Sequence, residues 1–206
     1  ENFGKISAVA RGARKLQSPF VSRLQPLNVC EILLYRGKTG DWTVAECSME
    51  KTFQISLKTY EKIQTIFKVI EMLKTIKESE IPEQIFALVY ETMERLEKEK
   101  SIFILKIFQI KLLKFLGTLP EFAYCEKCFE KINFKASRIW IPTENICTKC
   151  DEKKYTKKEG YEDRYRKLVQ FIKNRPYAEI KKIKMDENDE KTLIRITEKL
   201  WASAVY

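Results

Sequence analysis

Four cysteines form two Cys-x-x-Cys pairs with 18 residues between them: Cys125, Cys128, Cys147 and Cys150. Each pair can place two sulfurs on one side of a tight turn, and two facing turns complete a tetrahedron of thiolates around Zn²⁺. Four thiolates leave no coordination position for water. We therefore expect a structural zinc ion and not a catalytic one.

Other uses of these cysteines fit the sequence less well. A thioredoxin-like Cys-x-x-Cys needs a βαβ context, which the surrounding pattern lacks. Iron–sulfur clusters also take four cysteines, but typically at other spacings. Disulfides are rare in cytosolic proteins, and the chain has a cytosolic character. The remaining pair, Cys30 and Cys47, lies in predicted strands and should pack as small apolar side chains.

The 206 residues include no histidine, which removes the commonest acid–base chemistry. Ser-His-Asp and Cys-His catalysis, His proton shuttles and His-containing metal sites are excluded. A nuclease or deaminase would need an open metal position, clustered carboxylates or a His-x-Glu type motif, and Cys125-Glu126 does not have that spacing. The phosphate-binding pattern GxxxxGK[ST] is also absent from the sequence. We expect a protein that is not an enzyme.

A net charge of +10 favours an anionic partner such as nucleic acid. The excess is concentrated near the start of the chain, where residues 11–26 contain no acidic residue. The candidate DNA-binding residues there and near the following hairpin are Lys5, Arg11, Arg14, Lys15, Arg23, Arg36 and Lys38. Four aromatic residues are candidates for stacking on bases, although aromatics in strands more often belong to the core: Phe3, Phe20, Tyr35 and Trp42.

The secondary-structure elements that must position these residues are predicted to be strands near the start of the chain and helices after it. Strand-like runs at 4–10, 29–37 and 41–48 include a hairpin around Gly37–Gly40, with a loop at 11–26. Apolar residues at helical spacing follow from Tyr60 to Ile76, a second helix begins at Pro82, and a third, central helix at 101–116 ends at Gly117. Two further helices are predicted at 161–174 and 188–205, the latter capped by Asn188 or Asp189.

These patterns predict an α+β protein with a small β unit at 1–54 and a helical domain at 55–206, which carries the cysteine insert at 122–153. The longest apolar run, residues 101–117, is interrupted by three lysines and is shorter than the ~20 residues of a membrane span. It is interpreted as a buried helix, so no membrane partner is expected.

Several stretches of the chain resemble the bacterial recombination-mediator family RecO. They are GKISAVARGARK (4–15), LQP (24–26) and ILLYRGKTGDWTVAEC (32–47), followed by helices with the four-cysteine insert. The resemblance implies an N-terminal OB-type β-barrel, a helical domain with a zinc site and a cytoplasmic, nucleoid-associated location. It also implies binding of single- and double-stranded DNA, annealing of complementary strands and assistance in loading RecA onto DNA coated with single-strand-binding protein (SSB).

The partners implied by the resemblance are RecR and the acidic C-terminal tail of SSB. Basic residues of the 161–174 helix could attract that tail, with Arg166 and Lys173 as the foremost candidates and Arg164, Lys167 and Arg175 beside them. The sequence departs from the family in two ways. It looks N-terminally incomplete, without the first barrel strands, and Lys15 is followed by Leu-Gln-Ser-Pro where the family has more basic residues.

The same sequence features also fit a different function. A zinc-ribbon adaptor between proteins, with no DNA binding of its own, would use its basic residues only for solubility. Such an adaptor predicts partner binding that is independent of salt and little affinity for DNA.

Overall fold

The computed structural model describes residues 5–38, 40–53, 59–76, 84–99, 101–132, 140, 142, 145–147, 149–150 and 161–205. The chain forms two compact units, Glu1–Ser101 and Ile102–Tyr206. The predicted boundary between residues 54 and 55 lies outside the described residues, and so does much of the predicted insert at 122–153.

The first unit begins with a three-stranded sheet and one short helix: β1 (Ala8–Val9), α1 (Phe20–Arg23), β2 (Asn28–Arg36) and β3 (Trp42–Thr52). The strand order is β1-β3-β2, with β1 parallel to β3 and β2 antiparallel to it. The predicted hairpin is confirmed. Its connection is closed by the amide of Gly37, which donates to the carbonyl oxygen of Asp41 at 2.9 Å, and Gly40 has a positive φ of 86°.

Two predictions about this region were too simple. Of the strand expected at 4–10, the described residues 5–10 pair only through Ala8 and Val9. The segment expected to be a loop contains α1, because Pro19 has φ −63° and the amide of Phe20 donates to the Ser18 hydroxyl at 3.3 Å. A proline with this φ is already in helical geometry and needs no amide hydrogen bond, so it suits the start of a helical turn.

Strand β3 carries two bulges relative to β2. Val29 pairs with Lys51 whereas Cys30 pairs with Met49, which leaves Glu50 unpaired in the register. The second shift lies between Leu33 and Leu34 and leaves one further residue of β3, Ala45, unpaired. Each bulge increases the local twist and reverses the alternation of side chains between the two faces.

Two helices complete the first unit, α2 (Tyr60–Thr75) and α3 (Gln84–Lys98). Their buried faces include Ile66, Val69, Met72, Ile85, Leu88, Met93 and Leu96. The sequence placed Tyr60 and Phe67 on the same apolar face of α2, but these side chains are 71% and 61% exposed. Phe67 follows buried Ile66 by one residue, a rotation of ~100° that takes it to the solvent side.

The second unit contains α4 (Ser101–Phe115), α5 (Asp163–Asn174), α6 (Tyr177–Ile180) and α7 (Glu187–Val205). The prediction of a central α4 is confirmed, because the helix is buried nearly all round. It ends as predicted at Gly117, which has φ 70°. The amide of Thr118 donates to the Leu113 carbonyl oxygen and that of Gly117 to the Lys114 carbonyl oxygen, both at 3.1 Å, which is a Schellman motif.

Lysine side chains close the C-terminal ends of several helices. The ammonium group of Lys62 donates to the Glu97 carbonyl oxygen at the end of α3, at 3.2 Å. At the end of α5, Lys111 donates to the carbonyl oxygen of Arg175 at 2.9 Å and Lys114 to that of Lys173 at 3.1 Å. These carbonyls have no partner within the helix, and a cation there also stabilises the negative end of the helix dipole.

No helix in the described part of the chain combines the length and the apolar character that a membrane span requires.

The start of α7 differs from the prediction of Asn188 or Asp189 as the cap. The Asp186 carboxylate accepts a hydrogen bond from the amide of Asp189 at 2.7 Å, and the Asp186 carbonyl oxygen accepts one from the amide of Glu190 at 3.0 Å. Asp186 is therefore the N-cap, because it supplies both the side-chain bond and the first intrahelical bond.

We predict that Asp186→Ala lowers the free energy of unfolding by about 1 kcal/mol, because an amide at the start of α7 loses its acceptor. Asp186→Asn should retain most of the stability, since an asparagine oxygen can accept the same bond. Urea denaturation followed by circular dichroism measures both changes. Equal losses in the two variants would show that the cap hydrogen bond is not the cause.

Candidate metal centre and nucleic-acid interface

The Sγ atoms of all four predicted metal ligands lie within 4.8 Å of one another, so the prediction that the two cysteine pairs come together is confirmed. Cys128 and Cys147, which belong to different pairs, have their sulfurs 3.8 Å apart. The grouping can therefore hold one metal ion among four sulfur ligands.

The first pair sits on a tight turn held by its own backbone. The amide of Cys125 donates to the Glu130 carbonyl oxygen and that of Phe129 to the Cys125 carbonyl oxygen, both at 2.9 Å. Phe129 has a positive φ of 58°, and Tyr124 and Lys131 pair across the turn as an isolated antiparallel bridge. The turn thereby directs both sulfurs of the pair towards the same point.

The second pair is joined to the first by two backbone contacts. The amide of Glu126 donates to the Asn145 carbonyl oxygen at 2.7 Å, and the amide of Cys147 donates to the Cys125 sulfur at 3.4 Å. Cys150 closes the second turn through its amide, which donates to the Cys147 carbonyl oxygen at 3.0 Å. Hydrogen bonds donated by backbone amides therefore link the two pairs.

The sulfur cluster is partly shielded from solvent. Cys125 is 1% exposed and Cys147 is 8% exposed, and both pack with Ile132, against which Ile146 also lies. Cys128 is the most exposed of the four. Shielding on one side favours metal retention, because it limits the access of water and competing ligands.

The thiols differ in how readily they ionise. Burial raises the pKa of Cys125, but amide donors from Cys147, Cys128 and Lys127 outweigh it and lower that pKa to about 6. The neighbouring thiols of Cys147 and Cys128, together with burial, raise the pKa of Cys150 to about 12. Close thiolates repel one another, and a cation bound among the four sulfurs would remove that repulsion and favour all four thiolates.

Three of the predicted DNA-binding residues lie together on a segment that we call the basic loop, residues 10–18. Successive turns fold it through amide–carbonyl bonds from residue 13 to 10 (3.3 Å), 15 to 12 (3.0 Å) and 18 to 15 (2.8 Å). Arg11, Arg14 and Lys15 are exposed on this loop, and none of them pairs with an acidic residue in the described part of the chain. Lys38 is also exposed, in the β2–β3 connection.

The other three predicted DNA-binding residues already contact the protein. The ammonium group of Lys5 donates to the carbonyl oxygens of Leu73 (3.2 Å), Lys74 (3.4 Å) and Ile76 (3.0 Å) at the end of α2. The guanidinium of Arg23 donates to the Cys47 carbonyl oxygen at 2.7 Å. Arg36 lies over the Trp42 ring, 4.9 Å from its centroid.

The predicted stacking residues are distributed unevenly. Phe20 is half-buried and lines a groove between α1 and the β2–β3 hairpin, with Ile32 and Cys47 on its opposite side. Tyr35 is 47% exposed, whereas Trp42 is half-buried beneath Arg36. Phe3 lies outside the described residues.

The two foremost candidates for contact with the SSB tail are engaged in ion pairs. Arg166 is 7% exposed and bonds Asp163 at 2.6 Å, three residues earlier on α5. Lys173 pairs with Glu121 at 2.8 Å, and its side chain is 12% exposed. The Asp163–Arg166 spacing is a sequence signal that would have indicated a pair on one helix face. The more exposed cations of this region are Arg164, Lys167 and Arg175, with side chains 54%, 70% and 55% exposed.

Comparison with known proteins adds a family assignment. The model for the N-terminal part of recombination protein O matches residues 1–53, and the model for its C-terminal part matches residues 65–203. The DNA repair protein RecO of Clostridium perfringens strain SM101 is 27% identical over 207 residues, covering 96% of this chain and 87% of the relative. That of Thermoanaerobacter sp. strain X514 is 24% identical over 192 residues, covering 90% and 75%. Because the two family models together span most of the chain, the chain belongs to the RecO family of DNA repair proteins.

Proposed function

We propose that this chain is a recombination mediator that binds DNA through its basic loop during DNA repair. It holds single- and double-stranded DNA, anneals complementary strands and assists the loading of RecA onto SSB-coated single strands. The observation that carries the proposal is the exposure of Arg11, Arg14 and Lys15 on one folded loop, within a stretch, residues 5–30, that contains no acidic residue. Membership of the RecO family supports the role.

The proposed chemistry is electrostatic and involves no covalent step. Cations that neutralise phosphates release condensed counterions, so the affinity falls as the salt concentration rises. A basic surface that holds two strands loosely also screens their mutual repulsion and increases the frequency of productive encounters. We place this activity in the cytoplasm, where the nucleoid DNA lies.

We predict that the charge reversal Arg11→Glu/Arg14→Glu/Lys15→Glu weakens binding to a fluorescent single-stranded oligonucleotide and flattens its salt dependence. Loss of three phosphate contacts should reduce the slope of log K against log[salt] by about 2. Fluorescence anisotropy across a salt series measures the slope.

The matched control for this experiment is the triple reversal of Lys181, Lys182 and Lys184, which are exposed cations of the second unit. It changes the net charge by the same amount and should leave the slope close to that of the unaltered protein. Weak, salt-insensitive binding by the unaltered protein would contradict the proposal and favour a protein adaptor without DNA affinity.

Lys5 provides a separate test, because its ammonium group lies against three carbonyls at the C-terminal end of α2. We predict that Lys5→Met lowers the free energy of unfolding by about 1–2 kcal/mol, as these acceptors lose a charged donor. The salt slope of DNA binding should change little. A Lys5→Met variant with unaltered stability and a flatter slope would instead return Lys5 to the DNA-binding residues.

We further propose that the metal bound by the four cysteines is Zn²⁺ and that it is structural. A tetrahedral zinc ion with Zn–S bonds of ~2.3 Å has neighbouring sulfurs about 3.8 Å apart. The sulfurs of Cys128 and Cys147 stand at 3.8 Å, and all four lie within 4.8 Å. When bound, the ion would link the two turns. The chain's own contribution is to bring the four thiols together and shield them.

We predict about one zinc ion per chain in the purified protein and its loss in Cys128→Ser, because a hydroxyl replaces one of four thiolate ligands. Elemental analysis by mass spectrometry measures the content. Cys30→Ser is the control, since Cys30 lies on β2 and outside the sulfur cluster, and it should keep its zinc. Zinc retained at full occupancy in Cys128→Ser would remove that residue from the ligand set.

For partners, we propose RecR and the C-terminal tail of SSB on the basis of family membership. The acidic tail would reach the exposed cations of the α5 region, Arg164, Lys167 and Arg175, more directly than the largely buried Arg166 and Lys173. Each of the three exposed cations also has an acidic neighbour, so the tail would compete with Glu162 and Asp189 for Arg164, with Asp163 for Lys167 and with Glu179 for Arg175. A titration of a labelled SSB-tail peptide against Lys167→Glu/Arg175→Glu tests this assignment. Unchanged affinity would show that the tail binds elsewhere.

A further inference from the structure

One apolar side chain stands in the middle of the basic loop. Leu16 is 97% exposed, the highest exposure among the large apolar side chains in the described part of the chain. It follows Arg14 and Lys15 directly and precedes Gln17. A leucine in this position buries almost no surface within the fold, so the core gives no reason for its apolar character.

The loop that carries Leu16 has a defined geometry. Leu16 is the second residue of a four-residue turn, residues 15–18. The turn is closed by the amide of Ser18, which donates to the Lys15 carbonyl oxygen at 2.8 Å. The preceding turn depends on Gly12, whose φ of 75° favours glycine. Leu16 is therefore presented next to its basic neighbours by a folded turn.

The charge around Leu16 indicates what kind of molecule the side chain contacts. All three nearby charges are positive, and no acidic residue lies between residues 5 and 30. Such a surface attracts a polyanion and repels basic protein segments. Nucleic acid combines phosphates for the cations with apolar base faces for the leucine, and DNA-binding proteins do insert leucine between bases.

We propose that Leu16 inserts between adjacent bases of the DNA strand whose phosphates the basic loop holds. This inference rests on the proposed function and adds to it a contact that is apolar and independent of sequence. The cations account for the salt-dependent part of the affinity, whereas Leu16 contributes a part that salt does not screen. Insertion also separates neighbouring bases, which exposes their faces and edges.

The experiment uses the full chain and a mixed-sequence single strand with one central 2-aminopurine, whose fluorescence rises when its stacking is lost. We expect binding of the unaltered protein to raise this fluorescence and Leu16→Gln to abolish most of the rise. Leu16→Gln should also weaken binding about 5- to 10-fold at every salt concentration, as expected for losing the burial of part of a leucine side chain. The plot of log K against log[salt] would move downwards with its slope unchanged.

Two further variants make the result specific. Leu16→Met keeps an apolar side chain of similar volume and should restore both the affinity and the fluorescence rise. Leu33→Gln changes a leucine on β2 that is 58% exposed, and it should behave like the unaltered protein.

The outcomes separate this inference from the proposed function. If Leu16→Gln matches the unaltered protein while the triple charge reversal of the basic loop still flattens the salt slope, Leu16 does not insert and the DNA-binding proposal stands. If the charge reversal also has no effect, the basic loop does not hold DNA and both proposals are wrong. Loss of a protein partner by Leu16→Gln, with DNA binding unchanged, would likewise overturn the insertion.

Discussion

Hydrogen bonds from lysine ammonium groups to the carbonyls at helix ends support the helical parts of both units. Lys5 closes the end of α2 and Lys62 the end of α3, while Lys111 and Lys114 close the end of α5. The last carbonyls of a helix find no amide donor within it, so each needs a donor from water or from another part of the chain. The protein uses charged donors for this purpose, which also offset the helix dipole.

This use of lysine changes how the net charge of +10 should be interpreted. Part of the positive charge lies against the protein's own backbone or acidic side chains, where at least one donor of each ammonium group is already used within the fold. Lys51 is a further example, because its ammonium group bonds Glu94 at 2.6 Å and Tyr90 at 3.1 Å and lies 4.9 Å from the centroid of the Phe53 ring. Its bond to Glu94 raises the pKa of Lys51 and lowers that of the carboxylate. Arg11, Arg14 and Lys15 of the basic loop, by contrast, are exposed and pair with no acidic residue in the described part of the chain.

Local patterns in the sequence were sufficient for features that depend on neighbouring residues. The cysteine turns follow from the two-residue spacing of Cys125–Cys128 and Cys147–Cys150, and the end of α4 follows from Gly117, since only its positive φ was required. The resemblance to the RecO family rested on similarly local motifs.

Features that depend on distant residues could not be obtained in this way. The contact of Lys5 joins residues 68 to 71 positions apart, and nothing near Lys5 in the sequence indicates it. The exposure of Phe67 depends on which face of α2 meets its neighbours, and helical spacing alone permits either side of the apolar stripe. The position of the α7 cap was missed by a few residues, because several acidic and amide side chains there are equally good candidates for the role.

The two bulges of β3 have a consequence for changes in chain length. The strand has eleven residues against nine in β2, and Ala45 and Glu50 are the two in excess. The bulge at Ala45 reverses the side-chain alternation, so Val44 and Cys47 share a face although they are three residues apart, and the bulge at Glu50 reverses it again. Loss of one residue at either bulge would straighten the strand and yet keep every other pair in register. A deletion elsewhere in β3 would move the side chains beyond it to the opposite face of the hairpin. Ala45 and Glu50 are therefore the positions where evolution can shorten the strand one residue at a time.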